Sequence, residues 1–256
     1  MSATASSQPP PFLKLLAHGV RWQLVEALAR SDRRVQELVA CVGEPANLVS
    51  YHLRQLRGQA LVNERRSAAD GRDVYYSLDL ERIKDLYLAA GESLHPGIAG
   101  RAKSSRDATT EPGRRIRVLF LCTHNSARSQ MAEAILRELA GDRAEVASAG
   151  TEVTRVHPLA VAEMAGRGID IAAQRSKHMD EFMGESFDYV VTVCDNAQES
   201  CPIFPGAPER IHWSIPDPSA AQGTEEERAA AFKRAADELT VRIRYLLNRI
   251  ESKGEA

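Results

Sequence analysis

Cys122-Thr123-His124-Asn125-Ser126-Ala127-Arg128-Ser129 is where this sequence carries the most chemistry. It follows a short apolar run, Ile116–Leu121, that suits a strand of a parallel sheet. A helical stretch, Gln130–Ala140, comes after it and Gly141 ends that stretch. Strand, tight loop and helix aim backbone N–H groups and a helix N-terminus at an oxyanion. In that geometry Cys122 lies at the focus of the loop. The helix N-terminus and Arg128 both stabilise its thiolate, the nucleophilic form. Arg128 can fork two oxygens of a tetrahedral anion. Ser129 can donate a hydrogen bond to the thiolate, and Asn125 can fix the shape of the loop. A Cys-x5-Arg match alone is common; the flanking strand and helix give this one its weight.

Three more cysteines follow from a count of four: Cys41, Cys194 and Cys201. Four in 256 residues is too few for a disulfide scaffold, and no CxxC pair suggests a structural metal. They are inert core thiols or reactive ones. Tyr189–Val193 reads as an apolar strand that delivers Cys194 to its C-terminal end. In an open parallel sheet that is the edge where the Cys122 loop also lies. Cys194 and Cys201 are seven residues apart. A straight helix between them would separate their Cα atoms by about 10.5 Å, whereas a disulfide needs roughly 7 Å or less. If the two bond, the segment between them must loop out or partly unwind.

Composition sets the frame for these sites. Charged residues make up 27% and hydrophobic ones 43%, as in ordinary globular proteins. No run approaches the roughly 18 apolar residues of a membrane span, so no membrane partner is expected. MSATASSQPPP at the start has neither a basic nor an apolar region and reads as a disordered tail, residues 1–11. A cytoplasmic location is the expectation. The net charge of −2 hides an asymmetry: +1 over residues 1–96, +3 over 97–115 and −6 over 116–256. Residues 97–115 are polar and rich in Gly and Ser, the composition of a flexible linker. Two domains are expected, residues 12–96 and 116–252.

The first domain reads as helices over Phe12–Leu28, Arg33–Val42 and Asn47–Gly58. Two strands, Leu61–Arg66 and Asp73–Leu78, flank an Asp70–Gly71 hairpin signal. A final helix covers about Leu80–Ala90. Helix, turn, helix and basic-tipped hairpin is the order of an α+β winged helix-turn-helix. Arg54, Arg57, Arg65, Arg66 and Arg72 outnumber Glu64 and Asp70 between residues 47 and 72. With Ser50, Tyr51 and His52 they could present donors to base edges and phosphates of DNA. The alternative is a solvated face of a small helical domain.

The stretch VSYHLRQLRGQALVNERRSAADGRDVYYSL resembles the recognition helix and wing of the ArsR/SmtB family of arsenic-responsive repressors. The resemblance covers about residues 12–95 and implies a homodimer, through this domain, that binds operator DNA. Many arsenic sensors of that family carry a Cys-Val-Cys pair where this chain reads Glu37-Leu38-Val39-Ala40-Cys41-Val42. A lone Cys41 cannot supply the three thiolates arsenite prefers. The ligands come from elsewhere, or the domain senses something else, or it does not sense. Cys41 itself is expected in the core or half-buried.

The Cys122 loop resembles that of the low-molecular-weight protein tyrosine phosphatases, an α/β three-layer fold with a parallel sheet. The string VTVCDNAQESCPIFPGAPERIHWSIPDPS is similar to the redox segment of the thioredoxin-coupled arsenate reductases built on that fold. This second resemblance spans about residues 116–250. It implies that arsenate docks on the amides of Thr123, His124, Asn125, Ser126 and Ala127 and on Arg128. Cys122 attacks arsenic, and Asp217, between Pro216 and Pro218, protonates the departing oxygen. Cys194 then releases arsenite, Cys201 frees Cys122, and thioredoxin reduces the Cys194–Cys201 pair. No tightly bound cofactor is implied. Relatives can hold potassium near the loop, which by position would fall to Asn125, Glu133 and Ser148. The chain departs from the phosphatases in Ser219-Ala220, where they usually carry a Tyr pair, and from several reductases in His124, where a Gly often stands. Two other functions compete: an arsenite-sensing regulator without turnover, and a phosphatase-like hydrolase. His157, Lys177 and His178 are expected at the surface, Glu225–Glu227 in the first turn of a last helix over Glu225–Ile250, and Trp213 in the core.

Overall fold

The computed structural model describes residues 9–94 and 115–254. The expected tail and linker therefore fall outside the described residues, except for Pro9–Pro11 and Arg115. The chain divides into two compact units.

The first unit contains α1 (Pro11–Leu16), α2 (Gly19–Leu28), β1 (Arg33–Arg34), α3 (Val35–Val42), α4 (Ala46–Arg57), β2 (Val62–Arg66), β3 (Val74–Leu78) and α5 (Leu80–Leu94). The single helix expected over Phe12–Leu28 is two helices. The break falls at Ala17–His18, where His18 is extended at φ −135° and ψ 124°. Apolar spacing carries straight across this break, so periodicity could not reveal it. Arg33 and Arg34 do not start a helix; they pair with Tyr76 and Tyr75 as an edge strand. The Arg34 N–H then donates to the Glu37 carboxylate at 2.7 Å, satisfying a donor at the start of α3. Gly43 ends α3 at φ +75°, a conformation that suits glycine. β2 and β3 form the expected antiparallel hairpin, with Arg66 opposite Val74 and Gly71 at φ +69° in the turn. Leu24, Leu38, Val49, Leu53, Leu56 and Leu61 make the core. Cys41 is exposed, against expectation. In α3 the buried side chain is Leu38, and Cys41 lies off that face.

The second unit contains β4 (Ile116–Cys122), α6 (Arg128–Ala140), β5 (Ala144–Gly150), α7 (Pro158–Gly166), β6 (Tyr189–Thr192), α8 (Asp195–Ser200), β7 (Glu209–His212) and α9 (Glu225–Gly254). Its four strands are all parallel, in the order β5-β4-β6-β7. β4 is central, and Val118–Cys122 are buried without a break, which is why the run reads apolar rather than alternating. α6, α7 and α9 pack on one another. Trp213 is buried against Phe120, with ring centroids 6.0 Å apart. Because the strands are parallel, their C-terminal ends share one edge. Cys122, Gly150, Cys194 and the chain leading to Asp217 all emerge there.

Candidate functional site

The loop after β4 is held from outside. Its Thr123 carbonyl accepts from Glu152 N–H at 2.8 Å, the Asn125 carbonyl from the Ser176 hydroxyl at 2.7 Å, and the Ser126 carbonyl from His157 N–H at 2.8 Å. The His124 carbonyl accepts from the Thr154 hydroxyl at 3.4 Å. In a trans peptide the carbonyl and the following N–H point opposite ways. Four outward carbonyls thus turn the amides of His124, Asn125, Ser126 and Ala127 inward. The Asn125 N–H is 3.2 Å from Cys122 Sγ. Asn125 itself is at φ +47°, a conformation Asn tolerates better than most residues. Below the loop, Gly150 leaves no room for a side chain: a Cβ there would meet Thr123 O at 2.6 Å and Asn125 N at 2.8 Å.

Arg128 is the first residue of α6 and is 7% exposed. Its guanidinium donates to the Ile215 carbonyl at 2.9 Å and pairs with Asp217 at 3.0 Å. Asp217 also caps the turn after it, accepting from Ser219 N–H at 3.0 Å. The cation and the carboxyl predicted from opposite ends of the domain therefore meet. Ser129 Oγ is 2.9 Å from Cys122 Sγ.

Asn125, Glu133 and Ser148 also come together, but their donor set does not fit potassium. The Asn125 side-chain oxygen accepts from Lys177 N–H at 2.7 Å and from Gln130 Nε2 at 2.8 Å. Its Nδ2, a donor, faces Ser148 Oγ at 2.8 Å and Ser129 Oγ at 2.9 Å. Ser148 donates onward to Glu133 at 2.5 Å. The Lys177 ammonium is 3.2 Å from the same Glu133 oxygen, so that carboxylate already has a cation.

Lys177 is thus half-buried rather than a surface residue, and the same holds for His157 and His178. His157 accepts from Leu159 N–H at the start of α7 and stacks on Phe232 at 4.7 Å. Burial holds its imidazole below the usual histidine range. His178 Nε2 is 2.8 Å from the Thr151 carbonyl, beside Gly150. Sequence reading missed Gly150, Gln130, Ser176 and Lys177 as supports of the loop. Only Gly150, a glycine at a strand end, carries a local signal.

Cys194 lies beside Cys122 because β4 and β6 are neighbours: Val193 N–H donates to the Leu121 carbonyl at 2.8 Å. Thr123 Oγ1 is 3.4 Å from Cys194 Sγ. Burial, and then the neighbouring Cys122, push the Cys194 thiol up; Arg128 works against them. Cys194 caps the N-terminus of α8, its sulfur accepting from Ala197 N–H at 3.4 Å. Cys201 lies at the other end of this six-residue helix and is half-buried, and burial pushes its thiol up too. The helix holds the two cysteines apart by about 10 Å, from about 1.5 Å per residue. A buried cluster anchors the Cys194 end: Asp195 accepts from Ser214 at 2.8 Å and is 3.2 Å from His212 Nε2.

In the first unit, α4 buries Val49, His52, Leu53 and Leu56. His52 is therefore not a DNA contact. It is 3% exposed, with its ring 4.4 Å from that of His18. Burial and the nearby His18 hold its imidazole below the usual range. The other face of α4 presents Tyr51 and Arg54, with Ser50 half-exposed. Arg57 pairs with Glu64 of β2 at 2.6 Å. In the hairpin Arg66 and Arg72 are exposed and Arg65 is half-buried; Arg66 donates to the Gly71 carbonyl at 3.2 Å.

Among the described residues, no helix is long and apolar enough to cross a membrane. Residues 18–64 match the family model described as bacterial regulatory protein, arsR family. The arsenate reductase of Halalkalibacterium halodurans is 46% identical over 127 residues, covering 50% of this chain and 91% of that protein. The arsenate reductase of Bacillus subtilis is 45% identical over the same length, with the same coverage. Residues 117–256, more than half of the sequence, match the low molecular weight phosphotyrosine protein phosphatase model. The chain belongs to the low molecular weight phosphotyrosine protein phosphatase family, with an arsR-family segment ahead of its phosphatase-like domain.

Proposed function

We propose that this chain is a cytoplasmic arsenic-resistance protein that joins an operator-binding winged helix-turn-helix, residues 12–96, through 97–115 to an arsenate reductase, residues 116–252. The observation that carries the reductase reading is Cys194, delivered by β6 to the side of Cys122, with Cys201 one short helix away. A hydrolase needs only the first thiol.

In the first step arsenate takes the amides of residues 124–127 and the Arg128 fork. Arg128 then exchanges Asp217 for the oxyanion, and the released carboxylate takes the proton of the Cys122 thiol and passes it to the departing oxygen. Cys122 Sγ bonds to arsenic and water leaves. Cys194 attacks Cys122 Sγ; the S–As electron pair stays on arsenic, which departs as arsenite, and a Cys122–Cys194 disulfide remains. Cys201 attacks Cys194, which restores Cys122 and leaves Cys194–Cys201. Thioredoxin supplies the two electrons that reopen that bond. Arsenate-dependent NADPH oxidation with thioredoxin and thioredoxin reductase is the expected result; its absence refutes the reductase reading. Aryl-phosphate hydrolysis that survives Cys194→Ser, without arsenate reduction, would put a phosphatase in its place.

The operator-binding reading rests on the arsR-family match and on the exposed face of α4 beside the hairpin arginines. It includes a homodimer through this module, for which exposed Tyr87 and Leu94 on α5 offer apolar surface. Arg54→Ala should weaken binding to DNA from upstream of its own gene and lower the salt slope by about one. Arg57→Ala should do less, because Glu64 already holds Arg57. Equal affinity and slope for wild type and Arg54→Ala would remove α4 from the DNA face.

A further inference from the structure

Glu133 is the unexplained charge beneath the Cys122 loop. Its side chain is 5% exposed, and it lies at the end of a hydrogen-bond chain that leads to the nucleophile. The direction of that chain is set by its geometry. A backbone N–H can only donate, so Lys177 N–H fixes which end of the Asn125 amide is oxygen. The Asn125 NH2 must then donate to both Ser148 and Ser129. Ser148, holding one of those hydrogens, passes its own to Glu133. Ser129, holding the other, has its own left for Cys122 Sγ.

This arrangement suits a thiolate in hydrogen bonding but opposes it in charge. A carboxylate buried a few hydrogen bonds from Cys122 repels a second negative charge, and low dielectric makes that repulsion large. Two cations meet Glu133. Arg137 reaches one oxygen from a side chain that is 52% exposed. Lys177 reaches the other with a side chain that is 14% exposed, and its ammonium also donates to the Arg175 carbonyl at 3.3 Å. The ammonium is thus held between protein oxygens, as an alkali ion would be.

We propose that Lys177 is a positioning residue whose ammonium serves as a built-in monovalent cation, neutralising Glu133 so that Cys122 functions without an alkali ion. The inference deepens the reading of Cys122 as the nucleophile; it does not depend on what oxyanion the loop takes. Besides this network, the Cys194 thiol interacts with Cys122 and with Arg128, whose guanidinium is paired with Asp217.

The test uses the full chain carrying Cys41→Ser, Cys194→Ser and Cys201→Ser, so that Cys122 is the only thiol. Its alkylation by iodoacetamide is followed against pH, with potassium or choline chloride at constant ionic strength. Without Lys177→Met, the profile should be the same in both salts. With Lys177→Met the profile should move about one unit toward higher pH, a tenfold slower reaction at neutral pH. Potassium should reverse part of that shift and choline none, while Lys177→Arg should restore the original profile. Acceleration by potassium with Lys177 in place, or a Lys177→Met profile that does not move, overturns the proposal. If Lys177→Met does not fold, as judged by circular dichroism, the salt comparison with Lys177 in place still decides. Arsenate turnover enters no arm, so a failed reductase reading would show separately.

Discussion

The Cys122 loop and the Cys194–Cys201 segment lie at the same edge of one sheet and are built in opposite ways. In the loop, consecutive carbonyls from Thr123 to Ser126 are tied to outside donors, and Gly150 brings the backbone of β5 up against it. In the segment, one short helix separates two thiols; buried Asp195, His212 and Ser214 anchor its Cys194 end, while at the other end the Cys201 carbonyl accepts from the exposed Arg210 side chain at 3.4 Å. Beyond Cys201 the chain runs through Pro202 to Ile203, which is 85% exposed. An oxyanion cradle must hold its shape through every step, because the amides have to be in place before charge develops. A thiol relay must change shape, because two cysteines whose Cα atoms are about 10 Å apart along a helix cannot bond until that helix unwinds.

Cys122→Ser should remove all arsenate and aryl-phosphate chemistry; residual steady-state turnover would mean that the relay can start elsewhere. Cys201→Ser should leave the first attack intact yet stop after one turnover, read as one arsenite per chain in a quench experiment with thioredoxin present. Sustained turnover would show that α8 need not unwind. Gly150→Ala should cost about a hundredfold or more in rate, by pushing Thr123 and Asn125 from positions the chemistry needs within about 0.5 Å. An unchanged rate would mean that the loop is softer than its bonding indicates. The smallest effect expected is in pH. With the Cys194 thiol pushed up, its thiolate fraction at neutral pH is below that of a free cysteine and grows as pH rises. Arsenite release in single turnover should therefore accelerate into the alkaline range, and a rate already flat at neutral pH would contradict the burial that raises it.

Much of this was legible without a structure. A nearly continuous apolar run ending in a Cys-x5-Arg loop suits a buried parallel strand feeding a helix, and β4 and α6 follow that reading closely. The hairpin at Asp70–Gly71 was equally plain, because Gly71 supplies the positive φ the turn needs. What failed did so for identifiable reasons. His52 looked like a donor by type, yet it falls on the Val49–Leu53–Leu56 face of α4, and helical spacing buried it. Arg33 and Arg34 read as helix because no local rule reveals that β3 will be beside them. The potassium set was right about which residues meet and wrong about the cation, because the competing charge arrives from Lys177, 44 residues along the chain.

The sequence by itself determined the reactive groups, their order and the strands that carry them, since nucleophile, cation and thiols are properties of residue type and local spacing. Only the tertiary structure decided which charge faces which. Arg128 with Asp217, Lys177 with Glu133 and Cys194 with Cys122 are all encounters across the C-terminal edge of a parallel sheet. Electrostatic influence depends on distance through space and on burial, and neither is written in the separation of residues along a chain.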